Sequence, residues 1–212
     1  MWWKKLLALL KRVRIGPSYA VDTYGFPDAS LEAPSSVFSE TSRRSKMQVI
    51  QETRLLKLVA QATVPARTKP FTASEFYQNG PGLYVYDTFA DRLELHARQT
   101  VDSAPERPYV ASLLKASTHD TDIRSELPDE HLSTLEDIAG LIEVQRSGQS
   151  GFLLTDGSVN IFYVKGKNGK VFAVLVLWLS GGRGWNVHGW GLGALGGWRA
   201  GSQVLCPGNA SL

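Results

Sequence analysis

Nine consecutive apolar residues, "VFAVLVLWL" at Val171–Leu179, constrain this chain more than any other feature. They are too few to cross a membrane as a helix, which takes about 20. Their valines and aromatics favour an extended strand. A strand apolar at both alternating sets of positions predicts a central place in a sheet, covered on both faces. "SVNIFYVKG" at 158–166 lies just before it, and Asn168-Gly169 between them is a strong hairpin signal. "WNVHGWGL" (185–192) and "WRAGSQVLC" (198–206) follow across glycine-rich turns. The pattern predicts an antiparallel meander of about four strands.

Upstream of residue 151 the apolar spacing is closer to helical. "MQVIQETRLLKLVAQATV" from Met47 places Val49, Ile50, Leu55, Leu56 and Val59 where a helix would bury them, with a strand over its later part as the alternative. Thr72 with Glu75 reads as a capping box opening a short helix through Tyr77. "NGPG" at 79–82 breaks it, and "LYVY" at 83–86 reads as a strand or the lead into a helix carrying Phe89, Leu93 and Leu95. "RPYVASLLKAS" at 107–117 predicts an edge strand. Ser133 with Glu136 reads as a second capping box, opening a helix from Thr134 to Arg146 with Leu135, Ile138, Leu141 and Ile142 on one face and Gly148 at its end. The expected fold is therefore α+β, with helices packed on the antiparallel meander and an amphipathic helix tethered ahead of it.

That leading segment is "MWWKKLLALLKRVR", residues 1–14. At about 100° per residue, Trp2, Trp3, Leu6, Leu7, Leu9, Leu10 and Val13 share one arc, and Lys4, Lys5, Lys11 and Arg12 share the other. Arg14 alone intrudes at the apolar edge, and Gly16-Pro17 stops the helix. Indole rings favour the headgroup boundary, and a cationic arc favours anionic lipid, so the pattern predicts an interfacial helix or a helix that fills a partner's groove. A secretory signal fits poorly, because the apolar run at 6–10 is followed at once by Lys11 and Arg12. A mitochondrial presequence and packing of the Trp-Leu arc on the body stay open; the first acidic residue is Asp22.

Charge sharpens the division. The chain has 23 basic and 20 acidic residues, and removing the five basic residues of 1–14 leaves 18 against 20. The sequence pI near 9.0 thus reports the leader, and the body is close to neutral. A broad basic face on the body, the usual mark of nucleic-acid binding, is not expected. The organisation read from the chain is a cationic amphipathic helix at 1–15, a linker rich in Pro, Ser, Gly and Ala at 16–46, one domain at 47–206 and a tail at 207–212. With 43% hydrophobic residues there is enough apolar material for a core. The single cysteine, Cys206, excludes an intramolecular disulfide and fits a reducing compartment. The expected location is cytoplasmic, with peripheral contact at the inner membrane face.

Four stretches, "GLYVYDTFADRL" (82–93), "IRSELPDEH" (123–131), "GFLLTDGSVNIFYV" (151–164) and the Trp/Gly series from Trp178 to Leu205, carry a resemblance to an uncharacterised family of small phage and bacterial proteins. It covers about residues 70–206. It implies a single α+β body and a mobile-element origin, and it carries no activity or catalytic residue.

Chemistry-bearing residues are sparse. "HDTDIRSELPDEH" at 119–131 gathers His119, Asp120, Asp122, Glu126, Asp129, Glu130 and His131, but HExxH, CxxC and calcium-loop spacings are missing. The bland reading is a solvated loop whose acids cap a helix. His188 shares a strand face with Asn186 and Trp190 if Val187 points inward, which would make a small polar-aromatic pocket. No GxSxG nucleophile motif, phosphate loop or dinucleotide fingerprint occurs, and no metal or cofactor is expected.

The favoured expectation is a non-enzymatic interaction protein. Trp2, Trp3, Lys4, Lys5, Leu6, Leu9, Leu10, Lys11, Arg12 and Val13 would contact an anionic membrane surface or a protein groove. One alternative is nucleic-acid binding through the basic arm and a sheet face bearing Arg183, Trp185, Trp190, Trp198 and Arg199. The other is an enzyme working at 119–131 or His188; no small-molecule substrate is identified.

Overall fold

The structure is a computed structural model that describes residues 54–76, 78, 80–86, 89, 100–166 and 169–208. All of them lie within the unit Arg43–Leu212. The leader at 1–15, the linker at 16–46 and the stretch 47–53 lie outside the described residues.

Among the described residues the architecture is mostly sheet. In chain order the elements are β1 (Leu56–Val64), β2 (Phe71–Thr72), α1 (Ala73–Phe76), β3 (Leu83–Val85), β4 (Thr100–Val101), β5 (Arg107–Leu114), α2 (Asp120–Glu126), α3 (Leu135–Val144), β6 (Asn160–Lys165), β7 (Val171–Leu179), β8 (Gly184–Gly191) and β9 (Gln203–Pro207). Seven strands form one mixed sheet in the order β1-β5-β9-β6-β7-β8-β3, and β2 pairs separately with β4. Among the described helices only α2 and α3 exceed one turn.

This overturns the expected fold of helices on a four-stranded antiparallel meander. Three strands of the expected meander are present: β6 pairs antiparallel with β7, and β7 with β8. Gly169 takes a φ of 80° in the β6–β7 turn, where its N–H donates to Gly166 and the N–H of Gly166 to Lys170. The fourth strand leaves the meander. β9 lies between β5 and β6, antiparallel to the first and parallel to the second. Residues 203–206 are buried on both faces, so this strand needs an interior slot. The connection from Gly191 is long enough to cross back over the sheet to reach it. The second parallel pair, β3 with β8, makes the other contact that an all-antiparallel reading misses.

Two further expectations change. The stretch at 56–64 is a strand, not a helix. A register shift between Leu58 and Ala60 marks a bulge at Val59, so Leu56 faces one side of the sheet while Ala60 and Val64 face the other. The bulge erases the alternation that would have announced a strand. The stretch at 107–114 is interior, flanked by β1 and β9, and not an edge.

The core lies on both sides of the sheet. On one side α3 sends Leu135, Ile138, Leu141 and Ile142 against Phe162, Val174, Val176, Trp185 and Val187. The α3 cap sits one residue later than expected: Thr134 Oγ1 accepts from the Asp137 N–H, and the Asp137 carboxylate accepts from the Thr134 N–H. Ser133 and Glu136 do not form the box; the Ser133 hydroxyl is buried and has no hydrogen-bond partner among the described residues. Gly148 closes the turn after α3 at a φ of 68°, and a Cβ there would lie 2.0 Å from the Trp178 ring, so glycine is required. On the other side Ile123 of α2 packs with Ile161, Tyr163, Val204 and Trp198.

Candidate interaction surface

β7 and β8 show how unequally the two sides are covered. Phe172, Val174, Val176 and Trp178 are buried on the α3 side, as are Trp185 and Val187 opposite them. Of the intervening residues, Ala173 of β7 is buried beside α2, whereas Leu175, Leu177 and Leu179 of β7 and Asn186, His188 and Trp190 of β8 are only half-buried. The sequence predicts cover on both faces of Val171–Leu179; among the described residues the α3 face is the more fully closed.

Register assembles these residues into a row. His188 stands opposite Leu175, and Asn186 opposite Leu177. In β3, Tyr84 is in register with Asn186. The Tyr86 ring lies over the His188 imidazole with centroids 3.7 Å apart, and Tyr84 meets Tyr86 edge-on at 5.2 Å. Tyr84 is 40% exposed. Burial, helped by the neighbouring Tyr84, raises the Tyr86 hydroxyl above its ordinary value, so it stays a neutral donor. Apart from Asn186 the row is aromatic and aliphatic, and its side chains carry no Lys or Arg.

The structure thus places His188, Asn186 and Trp190 on one face, in the relation the strand pattern implies. Sequence reasoning missed Tyr84 and Tyr86. Their signal was the alternation Leu83, Tyr84, Val85, Tyr86, which puts both tyrosines on one face once the segment is read as a strand.

The three tryptophans of the alternative platform do not share a face. Trp185 is fully buried on the α3 side, donating from Nε1 to the Gln145 carbonyl at 2.8 Å and meeting Trp178 edge-on at 5.4 Å. Trp190, five residues on, faces the opposite way. Trp198 is buried beside α2. Arg183 sits exposed in the β7–β8 turn at a φ of 47°, and Arg199 is exposed before β9.

The polar cluster at 119–131 does not converge. Asp120 is buried, its carboxylate accepting from Trp198 Nε1 at 2.7 Å, the Gly193 N–H at 2.8 Å and the Tyr163 hydroxyl at 3.0 Å. It fastens the β8–β9 crossover to α2. Asp122 is exposed and accepts from Thr118, while the Glu126 carboxylate accepts from the N–H groups of Leu55 and Leu56. His119, Asp129 and Glu130 are exposed. His131 is buried edge-on against Tyr163, between the Pro128 carbonyl at Nδ1 and Arg124 at Nε2. Burial, with the Arg124 charge adding to it, holds its imidazole below the ordinary value against the opposing pull of the Pro128 carbonyl and Asp129.

A second buried carboxylate has a matching fate. Asp137 accepts from the Tyr109 hydroxyl at 2.9 Å and from Arg107 at 2.8 Å besides capping α3. Glu136, next to it, has its carboxyl raised by burial and by the charge of Asp137, with Arg67 3.8 Å away. Cys206 is buried in β9, and burial pushes its thiol up to about 11, which suppresses the thiolate a nucleophile needs. Among the described residues no group of three His, Cys, Asp or Glu side chains could hold a metal ion. No helix among them is long and apolar enough to cross a membrane. The leader residues Trp2, Trp3, Lys4, Lys5, Leu6, Leu9, Leu10, Lys11, Arg12 and Val13 lie outside the described set.

No protein-family model matches the chain, and no curated protein or solved structure matches it either.

Proposed function

We propose that this chain is an interaction protein: residues 1–15 dock it on an anionic membrane surface, and the half-open face of its sheet receives an apolar protein partner. The observation that carries this reading is where the charge lies. All five basic residues of 1–14 stand without an acid, beside Trp2 and Trp3, while the other residues carry 18 basic against 20 acidic. Each basic residue near an anionic leaflet adds about 1 kcal/mol, so the arc contributes several. The row Tyr84–Tyr86–His188–Trp190 supports the second half. Aromatic anchors dominate protein interfaces, and a row whose own side chains include no Lys or Arg offers few contacts to phosphate backbones, which disfavours the nucleic-acid reading.

The test is flotation of the full chain with vesicles. The chain is expected to float with vesicles containing anionic lipid, less so at high salt, and not with purely zwitterionic ones; replacing Trp2 and Trp3 by Ala should abolish flotation. A chain that stays in the dense fraction with anionic vesicles contradicts the proposal.

A further inference from the structure

β1 ends the sheet on one side, with β5 as its neighbour. The phase of its hydrogen bonds follows from Pro108, which stands opposite Thr63 and has no N–H to give. The Pro108 carbonyl accepts from the Gly208 N–H on the β9 side. Thr63 therefore occupies a non-hydrogen-bonded pair, and its own N–H and C=O point out of the sheet. Alternation turns those of Gln61 outward as well. Both residues are exposed, and among the described residues no group bonds to these outward backbone atoms.

Edges of this kind template pairing with another strand, and proteins usually blunt them. Among the described residues the blunting is confined to the two ends. Glu126 takes the Leu56 N–H and Val59 bulges at one end, and Pro65 stops the ladder at the other. Between them, residues 60–64 read Ala-Gln-Ala-Thr-Val, with no charge and no proline.

We infer that this window pairs with its counterpart on a second copy of the chain, antiparallel about a two-fold axis at Ala62. Gln61 of one protomer then faces Thr63 of the other, and each pair exchanges two backbone hydrogen bonds. Ala62 meets itself in a non-hydrogen-bonded pair, where Cα atoms approach to about 4.5 Å and a small side chain fits. Ala60 packs against Val64. Within residues 60–64 the two copies meet without any charge, because the single charge of β1, Lys57, lies beyond the bulge. An isologous contact of this kind closes on itself as a dimer. Its small size, below the roughly 1,200 Å² of stable complexes, makes it reversible and concentration-dependent.

Sedimentation of the full chain tests this. The mass is expected to rise from one chain of 23.3 kDa toward two as the concentration increases. Thr63→Pro removes an N–H that makes no bond within the protomer, so it should keep the melting curve and hold the protein monomeric at every concentration. As an independent variant, Ala62→Cys should form an inter-chain disulfide under mild oxidation at least tenfold faster than Lys57→Cys. The inference is overturned by a wild-type mass that does not change with concentration, by a Thr63→Pro protein that dimerises as the wild type does, or by equal cross-linking of the two cysteine variants. Slow amide exchange at Gln61 and Thr63 in dilute, monomeric protein would also overturn it, because the edge would then be filled from within the chain.

Discussion

The two faces of the sheet are built from the same strands and treated differently. On the α3 side each β7 and β8 side chain is buried, and α3 is fixed by a carboxylate, Asp137, that caps its own helix and reaches Tyr109. On the α2 side the seven-residue α2 covers part of the sheet, fixed by Asp120 through Tyr163 and Trp198, and the β7–β8–β3 end keeps a half-buried row. A closed face supplies stability. The half-buried row of Leu, Tyr, His and Trp returns less area to water when a side chain is cut back, so it contributes less.

Substitutions on one strand separate the two faces most sharply. Trp185→Ala, on the closed face, should cost roughly 3–5 kcal/mol in urea unfolding. Trp190→Ala, five residues along on the half-open face, should cost about 1–2 kcal/mol, because less area is returned to water. Equal losses would erase the distinction between the faces.

Asp120→Ala ranks next. It strands a tyrosine hydroxyl, an indole N–H and a backbone N–H, at roughly 3 kcal/mol, and should expose the β8–β9 crossover to protease. Asp137→Ala should be comparable and should also fray the start of α3, read as faster amide exchange there. If Asp120→Ala leaves the crossover protected, the crossover is held by something other than that carboxylate.

Much of the closed face was legible in the sequence. Its strands announce themselves as apolar runs, the Asn-Gly pair in the sequence at 168–169 signals a hairpin between two of them, and the helix ending at Gly148 is flagged by its periodicity. These are local signals. The half-open side depends on contacts 73 and 78 residues apart, from Asp120 to Gly193 and Trp198, which no window of sequence contains. Strand order failed for the same reason: β9 is adjacent in sequence to β8 but is drawn into the centre because its four buried residues need cover on both faces. At β1 a one-residue bulge sufficed to disguise a strand. The cap of α3 shifted by one residue because Asp137, unlike Glu136, also meets Tyr109 and Arg107.

A smaller effect comes from protons. Burial holds the folded His131 below the ordinary histidine value of 6.5, so well above pH 6.5 it is neutral in both folded and unfolded chains. As the pH falls through 6.5 the unfolded chain takes up its proton first, and stability is lost until the folded value is reached. The melting temperature should fall between pH 7 and 5, and less steeply in His131→Gln. Equal slopes would remove His131 as the cause. Tyr84→Lys, at the exposed end of the row, should change stability by no more than about 0.5 kcal/mol.

Calorimetry of Trp2/Trp3→Ala beside the wild type tests the central division of labour directly, in the absence of lipid. If the two indoles serve an external surface, the melting temperature stays within about 1 °C of wild type, since roughly 1 kcal/mol shifts a body of this size by 2–4 °C. A drop of more than about 5 °C, the size expected of a core substitution, would place those indoles inside the fold and contradict the account.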